Sequence, residues 1–103
     1  MTQRSAFVLR VRPDKLDAYL EAHRNVWPEM LGALRGAGIR NYSIFRHGNE
    51  VFGYFESDDL ERAAEYLARQ EVNGRWQDAM AELLAERVPD EGPPPLEEIF
   101  RMD

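Results

Sequence analysis

The chain has 103 residues, enough for one domain with one modest core, and its formal net charge of −6 works against a general nucleic-acid binder or an anionic membrane surface. It has no cysteine, which removes a disulfide framework and Cys-ligated metal and fits a reducing cytoplasm. Met1-Thr2-Gln3-Arg4-Ser5 lacks the apolar core of a signal peptide, and no stretch nears the ~20 apolar residues of a membrane span. We expect a single domain over residues 1–103, cytoplasmic, with neither nucleic acid nor membrane as partner.

Ala6 to Val11 reads as a strand with Phe7, Leu9 and Val11 on one face. Pro13-Asp14 opens a helix, because proline's missing N–H costs nothing in a first turn. The helix runs toward Arg35, with a kink or restart between Asn25 and Pro28, and Gly36 and Gly38 stop it. A second strand spans about Arg40 to Arg46. His47-Gly48-Asn49 then turns the chain into a third, about Val51 to Glu56. Ser57-Asp58-Asp59 followed by Glu61 reads as a helix start with a capping box, and Leu60, Ala63, Ala64 and Leu67 form the apolar face. A break belongs between Arg69 and Gly74. The next helix carries Val72, Trp76, Met80 and Leu83 on one stripe. Val88 to Pro95 is a loop, and the rough alternation in Leu96 to Met102 predicts a short final strand.

The order β-α-β-β-α-(α)-β is the ferredoxin-like split βαβ pattern, an α+β sandwich with helices on one face of an antiparallel sheet. Strand residues on the other face still include aromatics. Left bare they would form an apolar patch, so an interface or ligand is expected: sheet-to-sheet dimerisation, or a cavity between sheet and helices.

One stripe is unusual. Leu16, Tyr19, Leu20, His23, Trp27, Met30, Leu31 and Leu34 follow helical periodicity, so an imidazole sits on the face that should look inward. Aromatics one turn either side of it make a greasy wall around a single proton-transfer group, which suits a small polar ring such as a sugar. A histidine there also fits a core position hydrogen-bonded to a carbonyl. Tyr19 and Tyr42 also fit half-buried tyrosines with wet hydroxyls, and Trp76 fits the core. Trp27, beside Pro28, reads as core or helix packing, and His47 as an exposed turn residue. The acidic pairs Asp58-Asp59, Asp90-Glu91 and Glu97-Glu98 read as caps or solvated surface.

The blocks Ala6-Phe7-Val8, Tyr19…His23…Trp27-Pro28-Glu29, Asn41-Tyr42-Ser43-Ile44-Phe45, Arg75-Trp76 and Glu98-Ile99-Phe100 stand in an order and spacing that resembles the L-rhamnose mutarotase family, from Ala6 to about Arg101. The resemblance implies a homodimer of ferredoxin-like subunits, of the dimeric α/β-barrel type. It implies an isomerase of rhamnose metabolism that interconverts the anomers of a six-carbon deoxy sugar without metal or cofactor. It puts the proton donor on His23 and sugar-binding roles on Tyr19, Tyr42 and Trp76. The family follows that Trp with another; here Gln77 stands instead, an amide suited to a sugar hydroxyl.

Two other readings are open to the sequence. Dimeric ferredoxin-like barrels also host cofactor-free monooxygenases, where a histidine in an aromatic pocket would deprotonate a phenol. A non-catalytic module that binds a small ligand would use His23 only as a hydrogen-bonding core residue. The joint presence of Tyr19, His23, Tyr42 and Trp76 favours the sugar isomerase.

Overall fold

In the computed structural model, which describes residues 1–89 and 92–102, the first strand is longer than expected: β1 spans Gln3–Arg10. A 3₁₀ turn at Pro13–Lys15 leads into α1, Leu16–Arg24. Pro28 ends that helix, as the sequence predicts. Its ring has no N–H to donate and would clash with the carbonyl of Arg24, the last residue of α1. The chain leaves helical geometry at Asn25 (φ −133°, ψ 53°) and restarts with Pro28 in the first turn of α2, Pro28–Gly36. Gly38, at φ +84°, closes α2 in the left-handed conformation that glycine adopts without penalty. The Ala37 and Ile39 N–H groups then return to the carbonyls of Ala33 and Leu34, both at 3.0 Å.

Strands β2 (Arg40–His47) and β3 (Glu50–Ser57) form the expected hairpin, and the antiparallel sheet runs β1-β3-β2. A bulge lies between Arg40 and Ser43, where Asn41 takes φ +52° and donates to Glu56 Oε1 at 2.8 Å. Helix α3 is Leu60–Ala68, starting from the Ser57-Asp58-Asp59 group as the sequence predicts. Asp59 is its N-cap, its carboxylate accepting from the Arg62 N–H at 3.0 Å, while Ser57 Oγ accepts from the Asp59 N–H. The predicted break falls at Gln70, and α4 is Glu71–Ala81.

Register fixes the two faces of the sheet. Phe7, Gly53 and Ile44 form one row, and Leu9 and Val51 the next, on the inner face under the helices. Val11 and Val51 are buried there with Tyr19, Met30, Ala33, Val72, Trp76 and Met80. Burying each large apolar side chain contributes ~1.5–3 kcal/mol, so this cluster supplies most of the driving force. Arg4, Ala6, Val8, Phe45, Phe52, Tyr54 and Glu56 lie on the outer face.

The final strand is not part of the sheet. Residues 83–85 take the upper half of the place beside β1, through Arg12 N–H to Leu83 O (2.9 Å) and Ala85 N–H to Arg10 O (2.8 Å). Lower down, Leu96 N–H donates to Ala6 O at 2.7 Å, and residues 96–102 form no strand. A prolyl run, Pro93-Pro94-Pro95, separates the two pieces and supplies no N–H for a ladder. The acidic pair Asp90-Glu91 lies outside the described residues.

Candidate active site

The inward stripe on α1 delivers Tyr19 and His23 to one spot. They are four residues apart, one turn on the same helix face. Their rings stack with centroids 4.2 Å apart and planes 29° from parallel. The His23 Nδ1–H donates to the backbone carbonyl of Tyr19 at 2.9 Å. A carbonyl can only accept, so this bond keeps the proton on Nδ1 and leaves Nε2 as the nitrogen free to exchange one. The alternative of a core histidine bonded to a carbonyl is thus half right: one nitrogen is anchored, and the half-buried ring keeps the other available.

Helix α4 brings Trp76 against the other side of His23, edge to face at 5.4 Å and 77°. Trp76 is buried and belongs to the core as well as to this cluster. Trp27, at the N-cap of α2, meets Trp76 edge to face at 5.1 Å and 88°. The Arg75 guanidinium lies 5.8 Å from the Trp27 ring, and its nitrogens pair with Glu29 (3.3 Å) and Glu71 (3.2 Å). The helical stripe contained this information, since Trp27 lies one turn beyond His23. Its place beside Pro28 had made helix packing the simpler reading.

Tyr42 arrives from the sheet. It stacks obliquely on Phe55 at 5.2 Å, and Phe7 meets both rings at 6.4 Å. Gly53 makes room for Phe7, since a Cβ there would overlap the Phe7 ring. Burial pushes the Tyr19 hydroxyl up to about 12. Desolvation raises that of Tyr42 further, although 39% of its surface is exposed, and the nearby Tyr19 charge adds to the shift. Both phenols therefore stay protonated at neutral pH, offering an O–H donor and lone pairs and no charge.

The His23 ring is in contact with both Tyr19 and Trp76, while Tyr42 packs with Phe7 and Phe55 on the sheet. Gln77 stands apart: it is exposed on α4, and its amide donates to Asn73 on the same helix at 3.3 Å. Asn41 is taken by Glu56, and His47 is exposed. Two shallow surface clefts lie elsewhere, one beneath Pro93 and Pro94 and one lined by Glu29, Tyr66 and Arg75; neither includes His23. The clustered polar groups around an imidazole make the His23 site the better candidate for chemistry. Among the described residues, no group of three or more His, Asp or Glu side chains is arranged to hold a metal ion, and no helix is long and apolar enough to cross a membrane.

Comparison with known proteins agrees with this arrangement. The chain matches the family model for L-rhamnose mutarotase over residues 4–102. It is 36% identical to an L-rhamnose mutarotase of Oceanobacillus iheyensis, covering 98% of this chain and 99% of that one. It is 38% identical to one of Pectobacterium carotovorum, covering 97% and 98%. The crystal structure of an L-rhamnose mutarotase from Formosa agariphila superposes with a TM-score of 0.79 at 32% identity, covering 98% and 99% of the two chains. A match of this extent, in sequence and in fold, means that the chain belongs to the L-rhamnose mutarotase family.

Proposed function

We propose that the protein is a sugar isomerase that interconverts the α and β anomers of L-rhamnose or a close relative, in the cytoplasm and as a homodimer joined through the outer sheet face. Family membership over nearly the whole chain supports the reaction and the substrate class. The observation that carries the site is the His23 ring, committed through Nδ1 to the Tyr19 carbonyl and flanked by Tyr19 and Trp76.

Mutarotation breaks the bond between the anomeric carbon and the ring oxygen and turns the anomeric C–O into a carbonyl. One proton leaves the anomeric hydroxyl and one arrives at the ring oxygen. The open aldehyde rotates and recloses on the other face by the reverse transfers, with no net change of atoms or electrons. As imidazolium, with Nδ1–H still on the Tyr19 carbonyl, His23 donates its Nε2–H to the ring oxygen and takes the proton back on closure. The proton of the anomeric hydroxyl passes to a water held by a neutral Tyr hydroxyl and returns from it on closure. Tyr19, Tyr42 and Trp76 hold the sugar, with the aromatic faces against its C–H surfaces. A positioned acid–base group gives ~10²–10⁴-fold, which is sufficient because free sugars already mutarotate in water. No step requires a metal, a cofactor or a covalent intermediate.

The test is NMR saturation transfer between the anomeric protons of L-rhamnose, L-fucose, L-mannose and D-glucose, with and without protein. Faster exchange on L-rhamnose than on the others is the expected result. Faster exchange on a different sugar keeps the reaction and reassigns the substrate. No acceleration on any sugar contradicts the proposal, and oxygen uptake with a polycyclic phenol would then favour a monooxygenase.

A further inference from the structure

Trp76 stands between His23 and a second aromatic, and a polar group lies against that second ring. Trp76 meets His23 edge to face at 5.4 Å, and Trp27 meets Trp76 edge to face at 5.1 Å. The lie of the Trp76 ring beside the imidazole therefore depends on where the Trp27 ring lies. Trp27 sits in the break between α1 and α2, as the N-cap of α2 at φ −56° and ψ 132°, and its side chain is only partly buried. A ring at such a junction needs a hold from outside its own helix.

Arg75 supplies that hold from α4. Its guanidinium carbon is 5.8 Å from the centroid of the Trp27 ring, within the range of a cation–π contact. Its Nη2 pairs with Glu29 Oε2 on α2 at 3.3 Å, and its Nε with Glu71 Oε1, one turn back on α4, at 3.2 Å. Glu29 follows Trp27 by two residues in the first turn of α2, so one guanidinium grips the start of that helix by its ring and by its carboxylate. Neighbouring helix positions project ~100° apart, so Arg75 and Trp76 engage the Trp27 ring from two directions.

Stability is a poor account of this arrangement. The Arg75, Glu29 and Glu71 side chains are 50%, 74% and 88% exposed, and exposed ion pairs add little to folding. Direction is a better one, because a planar fork held between two carboxylates has a fixed orientation that a point charge lacks. All three residues line a surface cleft that includes neither Trp76 nor His23, so Arg75 stands outside the site and bears on it through Trp27.

We infer that Arg75 is a positioning residue for the reaction: held by Glu29 and Glu71, it fixes the Trp27 ring, which in turn fixes the Trp76 ring against His23 and the sugar. This rests on the reading of His23 and Trp76 as the sugar site and names what keeps that site in shape.

The chain has two tryptophans, Trp27 and Trp76, so an exciton couplet in its circular dichroism reports their mutual geometry. The test measures that couplet, the melting temperature, and kcat and KM for anomer exchange of L-rhamnose, in wild type, Arg75→Ala, Arg75→Lys and Glu29→Gln. The expected wild-type couplet disappears in Trp27→Phe. In Arg75→Ala it weakens, and KM rises about 3–10-fold, the order of one aromatic contact, with little change in kcat. The melting temperature stays close to wild type, as for other exposed pairs. Glu29→Gln moves the same way by less, and Arg75→Lys, which keeps the charge without the planar fork, falls between Arg75→Ala and wild type. An Arg75→Ala protein with the wild-type couplet, or with the wild-type KM, would overturn the inference alone. So would a large fall in its melting temperature, which would make the role structural. A wild type that accelerates exchange on no sugar would overturn the functional reading and this inference with it.

Discussion

At the scale of single residues, the site depends on one hydrogen bond that sets a tautomer and on two phenols kept neutral. Tyr19 holds its proton to about 12 in the fold, whereas an unfolded tyrosine ionises near 10. Because the folded value is the higher, the linked stability is intact below pH 10 and is lost as pH rises from there to about 12. Urea unfolding at pH 8, 10 and 11 should show wild type losing stability over that interval and Tyr19→Phe losing less. A parallel decline in both would show that Tyr19 is not the group responsible. With Tyr42 in its proposed sugar-binding role, Tyr42→Phe should raise KM about 3–10-fold with little change in kcat, the range expected for a neutral hydrogen bond. Trp76 has two duties. Trp76→Ala should cost ~3–5 kcal/mol of stability, so a milder Trp76→Phe is the variant whose kinetics report on the sugar. Gly53→Ala would force a Cβ into the Phe7 ring and should destabilise by ~1–3 kcal/mol in thermal unfolding, while shifting the Phe7–Tyr42–Phe55 group that positions Tyr42.

At the scale of elements, local sequence chemistry carried most of the fold. The helix restart at Pro28, the hairpin at His47-Gly48-Asn49 and the break near Gln70 follow from proline, glycine and periodicity, and all three are found. The start of α3 was legible as a group and not as one residue, because Ser57, Asp58 and Asp59 stand together and each can cap. Asp59 has the carboxylate in reach of the Arg62 N–H, and Ser57 holds the turn before it. Asp59→Ala should therefore cost about 1 kcal/mol in chemical denaturation, with Asp58→Ala smaller. The last segment was misjudged for a different reason. Alternation in Leu96 to Met102 signals extended chain, but whether an extended chain joins a sheet depends on what already occupies the edge, and residues 83–85 occupy much of it. The bulge at Asn41 was equally hidden, because an extra residue in a strand leaves no mark on a short alternating pattern.

At the scale of the whole molecule, the site joins parts that are distant in sequence. Helix α1 brings Tyr19 and His23, α4 brings Trp76 and the start of α2 brings Trp27 into one ring cluster, and the sheet carries Tyr42 beside Phe7 and Phe55. The i, i+4 pair on α1 was legible because helical periodicity alone brings Tyr19 and His23 together. The contact of Trp76 with His23 was not, since it depends on how α4 packs against α1. Trp27 packs against the core as its sequence reading has it, and its contact with Trp76 becomes visible only once α2 and α4 are packed. The central claim is that the His23 imidazole moves the proton that opens and closes the sugar ring. Its most direct test is the enzyme-dependent exchange rate between the anomers of L-rhamnose, measured by saturation transfer for wild type and His23→Gln at equal concentration and pH. The account predicts a wild-type rate well above the uncatalysed one and a loss of about 10²–10⁴-fold in the variant with unchanged melting temperature. A folded His23→Gln protein that retains most of the wild-type rate would contradict it.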